Sequence, residues 1–506
     1  MCGIWAVFNH ATNGDSSVQY HRGPDDNRRE TIGKCVMEFC RLAINDMTSD
    51  GMQPFVTKNS MLVCNGEIYN HTDFKNKKAK SGSDCEVLIP LIETKGVFRT
   101  SKLVRGVFAF IYSDGNRVLA SRDPLGVRPM FYCKLNDQGG IAFASEVKAL
   151  LQFDKRIEIF PPGHIYDSTT ESFSCYYSCY WDERCLPPLG SLKDTFIEAV
   201  RIRMENTDRP TAFLLSGGLD SSLVSAIAAR SVGTIKTFCI GAEDSPDARA
   251  AERVARYIGS DHTRIDFDFD CAIDSLDDVI QSLESYDTTT IRASVPMWLL
   301  CRYISKNTPY KVIISGEGSD ELFGGYLYFH MSPSDDDFKG ETIRRLKLIH
   351  QFDVLRADRC SAGHGLELRV PFLDKHVVDI GMEFPIHKKR TKTEKAVLRQ
   401  EFTGYLPDEI LWRQKEAFSD AVGYSWVEHV KAYADHTVSD EEFSEIASMC
   451  SHNVPQTKEE ALYRKIYWER FGDKNDHLIS EIWRPKWTDV TDPSARKLDL
   501  KLVNTE

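Results

Sequence analysis

Apolar and polar positions change rhythm once along the chain. To about residue 165, short apolar runs alternate with turn residues. Met61–Cys64 precedes Asn65-Gly66, and Val107–Tyr112 precedes Ser113-Asp114-Gly115, with Arg117–Ala120 after it. Strands joined by Asn-Gly or Asp-Gly predict antiparallel sheet. One helical period runs over Asp84–Thr94. Phe160–His164 (FPPGH) and an irregular stretch to about Gly190 end this pattern. Beyond it, an amphipathic helix over Leu192–Met204 leads into alternation: strand Thr211–Leu215, helix Leu219–Arg230, strand Ile235–Ile240, helix Ala248–Ile258, and later a β-branched strand Val312–Ile314. Such alternation predicts a parallel, doubly wound sheet. Past about residue 340 the spacing is mainly helical. The expected architecture is an α+β N-terminal domain, 1–185, with antiparallel sheets packed between helices. An α/β domain, 186–506, follows, with a parallel sheet and a helical C-terminal portion.

Composition narrows the function classes. A chain of 506 residues is too long for one core. The net charge of −12 argues against a nucleic-acid surface. No apolar run approaches the roughly 18 residues that span a bilayer, and the N-terminal run lacks a basic lead-in, so a cytoplasmic protein without membrane contact is expected. The 14 cysteines include no CxxC pair and read as reduced thiols. Cys175, Cys179 and Cys185 cluster, but no fourth ligand lies nearby to complete a zinc site.

Two stretches carry chemistry. Thr211–Ser222 (TAFLLSGGLDSS) is a strand, two glycines and a helix start, a geometry whose backbone amides cradle an anion. Gly217 and Gly218 allow close approach, and Ser216 and Ser221 add hydroxyls. It is not a Walker A loop; an ordinary turn with Asp220 as cap is the plain alternative. Ser315–Tyr326 (SGEGSDELFGGY) follows another predicted parallel strand. Carboxylates beside a phosphate cradle suit Mg²⁺, so Asp220 and Asp320 are the expected metal pair. Glu317 is either chemical or a solvated loop carboxylate. At the other end, MCGIWAVF places Cys2 where removal of Met1 would leave a thiol and a free α-amine on one residue. Their reference pKa values, about 8.5 and about 7.7–8.0, allow proton exchange near neutrality.

The motifs resemble known families. SGGLDSS is similar to the ATP loop of N-type ATP pyrophosphatases. With SGEGSDELFGGY, ELRVPFLD (Glu367–Asp374), RQKEAFSDAVG (Arg413–Gly423) and DTTTIRASVP (Asp287–Pro296), the second half resembles the synthetase domain of glutamine-hydrolysing asparagine synthetases. MCGI, HRGPDD (His21–Asp26), RLAIND (Arg41–Asp46), NGEIYN (Asn65–Asn70), SGSDCEVL (Ser81–Leu88), GVFAF (Gly106–Phe110) and SRDPLGVRPMFY (Ser121–Tyr132) resemble class II glutamine amidotransferases, which are of N-terminal-nucleophile type. The resemblance implies a nucleophilic Cys2, an oxyanion site at Asn65 and Gly66, and glutamine held by Arg41, Glu67 and Asp84. Arg22 would fold over that site or stand at the surface. It also implies adenine near Leu214 and Ile240, nucleotide contacts at Ser315 and Gly316, Glu317 in adenylate formation, and Lys415 in phosphate chemistry. Arg369 would contact substrate or brace its loop.

The implied reaction takes L-aspartate, L-glutamine and ATP to asparagine, glutamate, AMP and pyrophosphate. Ammonia would pass through an apolar conduit between the halves, and a homodimer is the family's common state. Leu368 and Val295 are bulkier or less polar than the family pattern, which leaves another carboxylic acid open as acceptor. A non-enzymatic relative is the remaining alternative.

Overall fold

The computed structural model describes residues 1–74, 80–178, 190–242, 245–414 and 426–488. The first half holds two six-stranded sheets, every pairing antiparallel. One runs, edge to edge, Ile157–Ile159, Phe131–Lys134, Ile141–Ala144, Gly3–Phe8, Cys35–Arg41, Asp26–Ile32. The other runs Ser172–Cys175, His164–Asp167, Val118–Arg122, Gly106–Ser113, Met61–Ile68, Phe55–Val56. Period-two alternation sets the layers. Ile4, Ala6 and Phe8 point between the sheets and meet Val63, Ala109 and Ile111. Leu62, Phe108 and Phe110 point outward, beneath Leu88 and Ile92 of the helix Leu88–Lys95. Trp5 and Val7, on the other face of their sheet, join the core of the second half. The second half therefore closes this face together with the short helical turns Val147–Ala149 and Leu151–Phe153, where Phe153 stacks on Trp5.

The pair Asn65-Gly66 does not turn the chain. The strand Met61–Ile68 continues through it, with Asn65 opposite Ala109 and Gly66 opposite Phe108. A Cβ on Gly66 would lie 2.2 Å from Val107 O, so the glycine serves close strand approach. The Asp-Gly turn does form. Asp114 Oδ1 accepts from the amides of Asn116 and Arg117, and Gly115 takes φ +89°.

The second half is built on five parallel strands in the order Asp261–Ile265, Lys236–Ile240, Thr211–Leu214, Val312–Ile314, Glu367–Arg369. Both edge strands escape the hydrophobic pattern, one because it is polar and partly exposed, the other because it is three residues long. The chain starts at the centre, winds one way, then crosses to Val312–Ile314. The two central strands thus flank a switch point, where open α/β sheets bind ligands beyond the carboxyl ends of the strands. Both glycine-rich loops leave from these two strands.

Candidate active sites

Cys2 is partly buried against Leu42, Ile44 and Val312, the last from the parallel sheet. Its Sγ accepts from Leu42 N at 3.4 Å. Met1 is buried, with its α-amine donating to Leu366 O at 2.8 Å. Burial lowers that amine to about 5 and lifts the Cys2 thiol to about 11. With Met1 in place, the thiol is protonated near neutrality.

Asn65 lies mid-strand, and both its side-chain oxygen and nitrogen are buried without a partner. Unpaired polar atoms in an interior cost free energy unless a ligand engages them. Arg41 donates to the carbonyls of Thr48, at 2.7 Å, and Asp46. Asn45, absent from the sequence reading, joins the two expected carboxylates. Its Nδ2 donates to Glu67 Oε2 at 2.9 Å and to Asp84 Oδ1 at 3.1 Å. Glu67 is also held by the second half, through Asn206 Nδ2 at 2.6 Å and Arg369 Nη2 at 3.1 Å. Burial, then Asp84, pushes its carboxyl well above the usual range. Arg369 therefore braces the interface between the halves and does not line the cavity beyond the parallel sheet.

Arg22 is no surface guanidinium. It is fully buried; Nε donates to Cys2 O at 2.9 Å, and the fork grips Asp358 at 2.8 and 3.1 Å and Glu146 at 2.9 Å.

Beyond the parallel sheet, Leu214, Ser216, Gly218, Asp220, Ser221, Ile240, Ser315, Gly316, Glu317 and Asp320 line one cavity. Gly217 does not. It takes φ +80°, and a Cβ there would fall 2.5 Å from Ala251 N, so it seats the loop on the helix Pro246–Ile258. Lys415, Cys179, Cys185 and the expected domain boundary lie outside the described residues.

Glu317 is not a solvated loop carboxylate. Arg356 Nη2 meets its Oε2 at 2.7 Å while Nη1 meets Asp353 at 2.8 Å. Burial raises the Glu317 carboxyl and Arg356 opposes that rise. Between the expected metal ligands stands a residue sequence reasoning missed. Lys395 Nζ lies 2.5 Å from Asp220 Oδ2 and 2.7 Å from Asp320 Oδ1. Asp220 Oδ1 is buried without a hydrogen-bond partner. Mg²⁺ takes one or two carboxylates and completes its shell with phosphate and water, so this pair fits it. Among the described residues no group of three or more His, Cys, Asp or Glu is arranged to hold a metal ion. Leu368 and Val295 are buried and do not line the cavity.

Comparison with known proteins follows the same division. The family profile described as asparagine synthase matches residues 191–335 and 330–491, and that described as glutamine amidotransferase domain matches 1–175. A probable glutamine-hydrolyzing asparagine synthetase of Dictyostelium discoideum is 40% identical over 565 residues, covering 100% of each chain. That of Rattus norvegicus is 40% identical over 560 residues, covering 98% of each. That of Asparagus officinalis is 40% identical over 553 residues, covering 98% of this chain and 92% of its own. Matched through both halves at this identity, the chain belongs to the glutamine-hydrolysing asparagine synthetase family.

Proposed function

We propose that the protein makes L-asparagine from L-aspartate and ATP with L-glutamine as nitrogen donor, through a β-aspartyl-AMP intermediate, releasing glutamate, AMP and pyrophosphate. One observation carries the reading. A nucleophile's neighbourhood with an unpaired buried amide, Asn65, and a cavity framed by two phosphate-type loops are joined by one hydrophobic core in one chain.

Each residue's role follows from its chemistry. With Met1 removed, the Cys2 amine takes the thiol proton and the sulphur attacks the glutamine amide carbon. Asn65, with the Gly66 amide, stabilises the oxyanion. Arg41 holds the substrate α-carboxylate; Glu67 and Asp84 hold its ammonium. Ammonia then crosses the interface; Cys2 packs on Val312, the first residue of the strand that leads to Ser315. Adenine lies by Leu214 and Ile240. The loops Ser216–Ser221 and Ser315–Gly316 hold the phosphates, and Gly217 keeps the first of them seated. Glu317, with Arg356, governs adenylate formation. Lys415 supports phosphate chemistry. Asp220 and Asp320 would hold Mg²⁺, which would neutralise charge developing on the phosphates, and the Lys395 ammonium between the two carboxylates would add a further positive charge there.

The proposal extends to domains meeting at 185/186, a homodimer, and a cytoplasmic setting without nucleic-acid or membrane partners. The net charge of −12 supports the exclusion of nucleic acid. No helix among the described residues is long and apolar enough to cross a membrane.

The test is an assay with ¹⁵N-amide glutamine, ATP, Mg²⁺ and a panel of carboxylic acids. Labelled asparagine with AMP is expected. Label in another amide, or ADP as product, overturns the reading.

A further inference from the structure

The helix Asp353–Ala362 touches both sites. Residues three apart on a helix share a face, and residues two apart point nearly opposite ways. Asp353 and Arg356 accordingly face the nucleotide cavity, where Arg356 holds Glu317 at 2.7 Å. Asp358 faces the first half and receives Arg22 through two parallel bonds of 2.8 and 3.1 Å. Arg22 in turn fixes the carbonyl of Cys2 at 2.9 Å. The next residue, Arg359, reaches Glu146 at 2.7 Å and Glu284 at 2.8 Å, and Glu146 also receives Arg22. Arg22, Asp358, Arg359 and Glu146 are all buried. A continuous row of charge-assisted contacts therefore runs from Glu317 through one short helix to the backbone of Cys2.

Such a row transmits displacement. A phosphate or carboxylate entering beside Glu317 competes with Glu317 and Asp353 for Arg356. Any resulting shift of the helix moves Asp358, because a ten-residue helix behaves as one body. Buried, closely packed contacts pass on a shift of about 1–2 Å rather than absorbing it.

We propose that the helix Asp353–Ala362 couples the two sites, with Asp358 as the positioning residue that carries occupancy of the nucleotide cavity to the backbone of Cys2. The inference rests on the two-site reading above and adds that glutamine cleavage responds to what the other cavity holds.

The experiment measures glutamate release by the full chain, with and without saturating aspartate and a non-hydrolysable ATP analogue. Filling the cavity is expected to change kcat/KM for glutamine by about fivefold or more. In Asp358→Asn the ratio is expected to fall to about one, and in Asp358→Glu, which keeps the carboxylate, to recover. The ratio, not the basal rate, is the readout, and thermal unfolding reports whether the variants fold. A second measurement needs no variant: the rate of Cys2 alkylation by iodoacetamide changes by a similar factor when the cavity is filled. Coupling retained in folded Asp358→Asn overturns the proposal. So does an unaltered protein whose glutamate release and alkylation ignore the ligands while it still forms asparagine and AMP. Failure to form glutamate or AMP at all sinks instead the two-site reading and this inference with it.

Discussion

At the residue scale, the proposed reaction would draw on groups whose environment is unfavourable until substrate arrives. Asn65 keeps two buried polar atoms unpaired. Asn65→Ala is therefore expected to lower glutamine-dependent turnover by about 10²–10³-fold, as loss of an oxyanion donor does. It should do so without lowering the thermal midpoint, because it removes unsatisfied polar atoms. Ammonia-dependent synthesis should survive it, and should survive Cys2→Ala; loss of both activities in either variant would contradict two separable sites. Met1 adds a constraint. Its amine is buried under Leu366 and its side chain meets Arg128. An aminopeptidase should therefore release Met1 from the unfolded chain and leave the folded protein uncut, which mass spectrometry of the two digests will show.

At the element scale, a loop's chemistry depends on what it rests against. Gly217 and Gly218 are neighbours with different duties. A Cβ at Gly217 meets Ala250 and Ala251 of the helix Pro246–Ile258 at 2.7 and 2.5 Å. At Gly218 the nearest atom is Ser216 Oγ at 3.5 Å, and φ is −71°. Gly217→Ala should cost about 1–3 kcal/mol from the backbone conformation alone, visible as a lower thermal midpoint and a raised KM for ATP. Gly218→Ala should fold like the parent, and any loss should appear only in ATP affinity. Equal loss of stability in both would undo this assignment. The glycines themselves are legible in the chain as a strand–turn–helix signature. Which one packs and which one faces the cavity depends on a helix some thirty positions onward. Lys395, between Asp220 and Asp320, had no local pattern to announce it.

At the scale of the whole molecule, the halves meet through buried charges as well as apolar surface. Arg22 pairs with Asp358, Arg359 with Glu146, Arg369 with Glu67, and Arg128 with Glu367. Removing one partner of such a pair costs about 3–5 kcal/mol. A chain of residues 1–178 alone should bind hydrophobic dyes through Trp5 and Val7, aggregate, and lack glutaminase activity; a monomeric, active fragment would contradict this account.

Acid should weaken the molecule in two stages. Burial, then Arg122, lowers His350 to about 3, and burial, then Arg302, lowers His364 to about 4, from an ordinary 6.5. Both are held neutral in the fold, so the unfolded chain binds more protons below pH 6.5. Stability is full above 6.5 and falls towards pH 4 and then 3, by about 1.4 kcal/mol per pH unit for each histidine. At Glu367, burial opposes ionisation but Arg369 and Arg128 prevail and bring the carboxyl to about 2, from 4.5. Its contribution is full above 4.5 and is lost as pH falls through 2. Denaturant midpoints measured from pH 7 to 3 should show the first decline above pH 4.5, before the Glu367 contribution begins to fall, and His364→Gln should reduce it.

What the sequence determined by itself is what repeats or sits close along the chain. The antiparallel-then-parallel order, the two glycine loops each following a parallel strand, and the terminal cysteine all follow from spacing within a dozen residues. The tertiary structure decided the rest: that Asn65-Gly66 is strand and not turn, that the polar Asp261–Ile265 and the short Glu367–Arg369 are sheet edges, and that Arg22 is buried on Asp358. The physical reason is range. Periodicity reports which face of an element is apolar, but an ion pair between residues 336 positions apart exists only once two folded surfaces have excluded water between them.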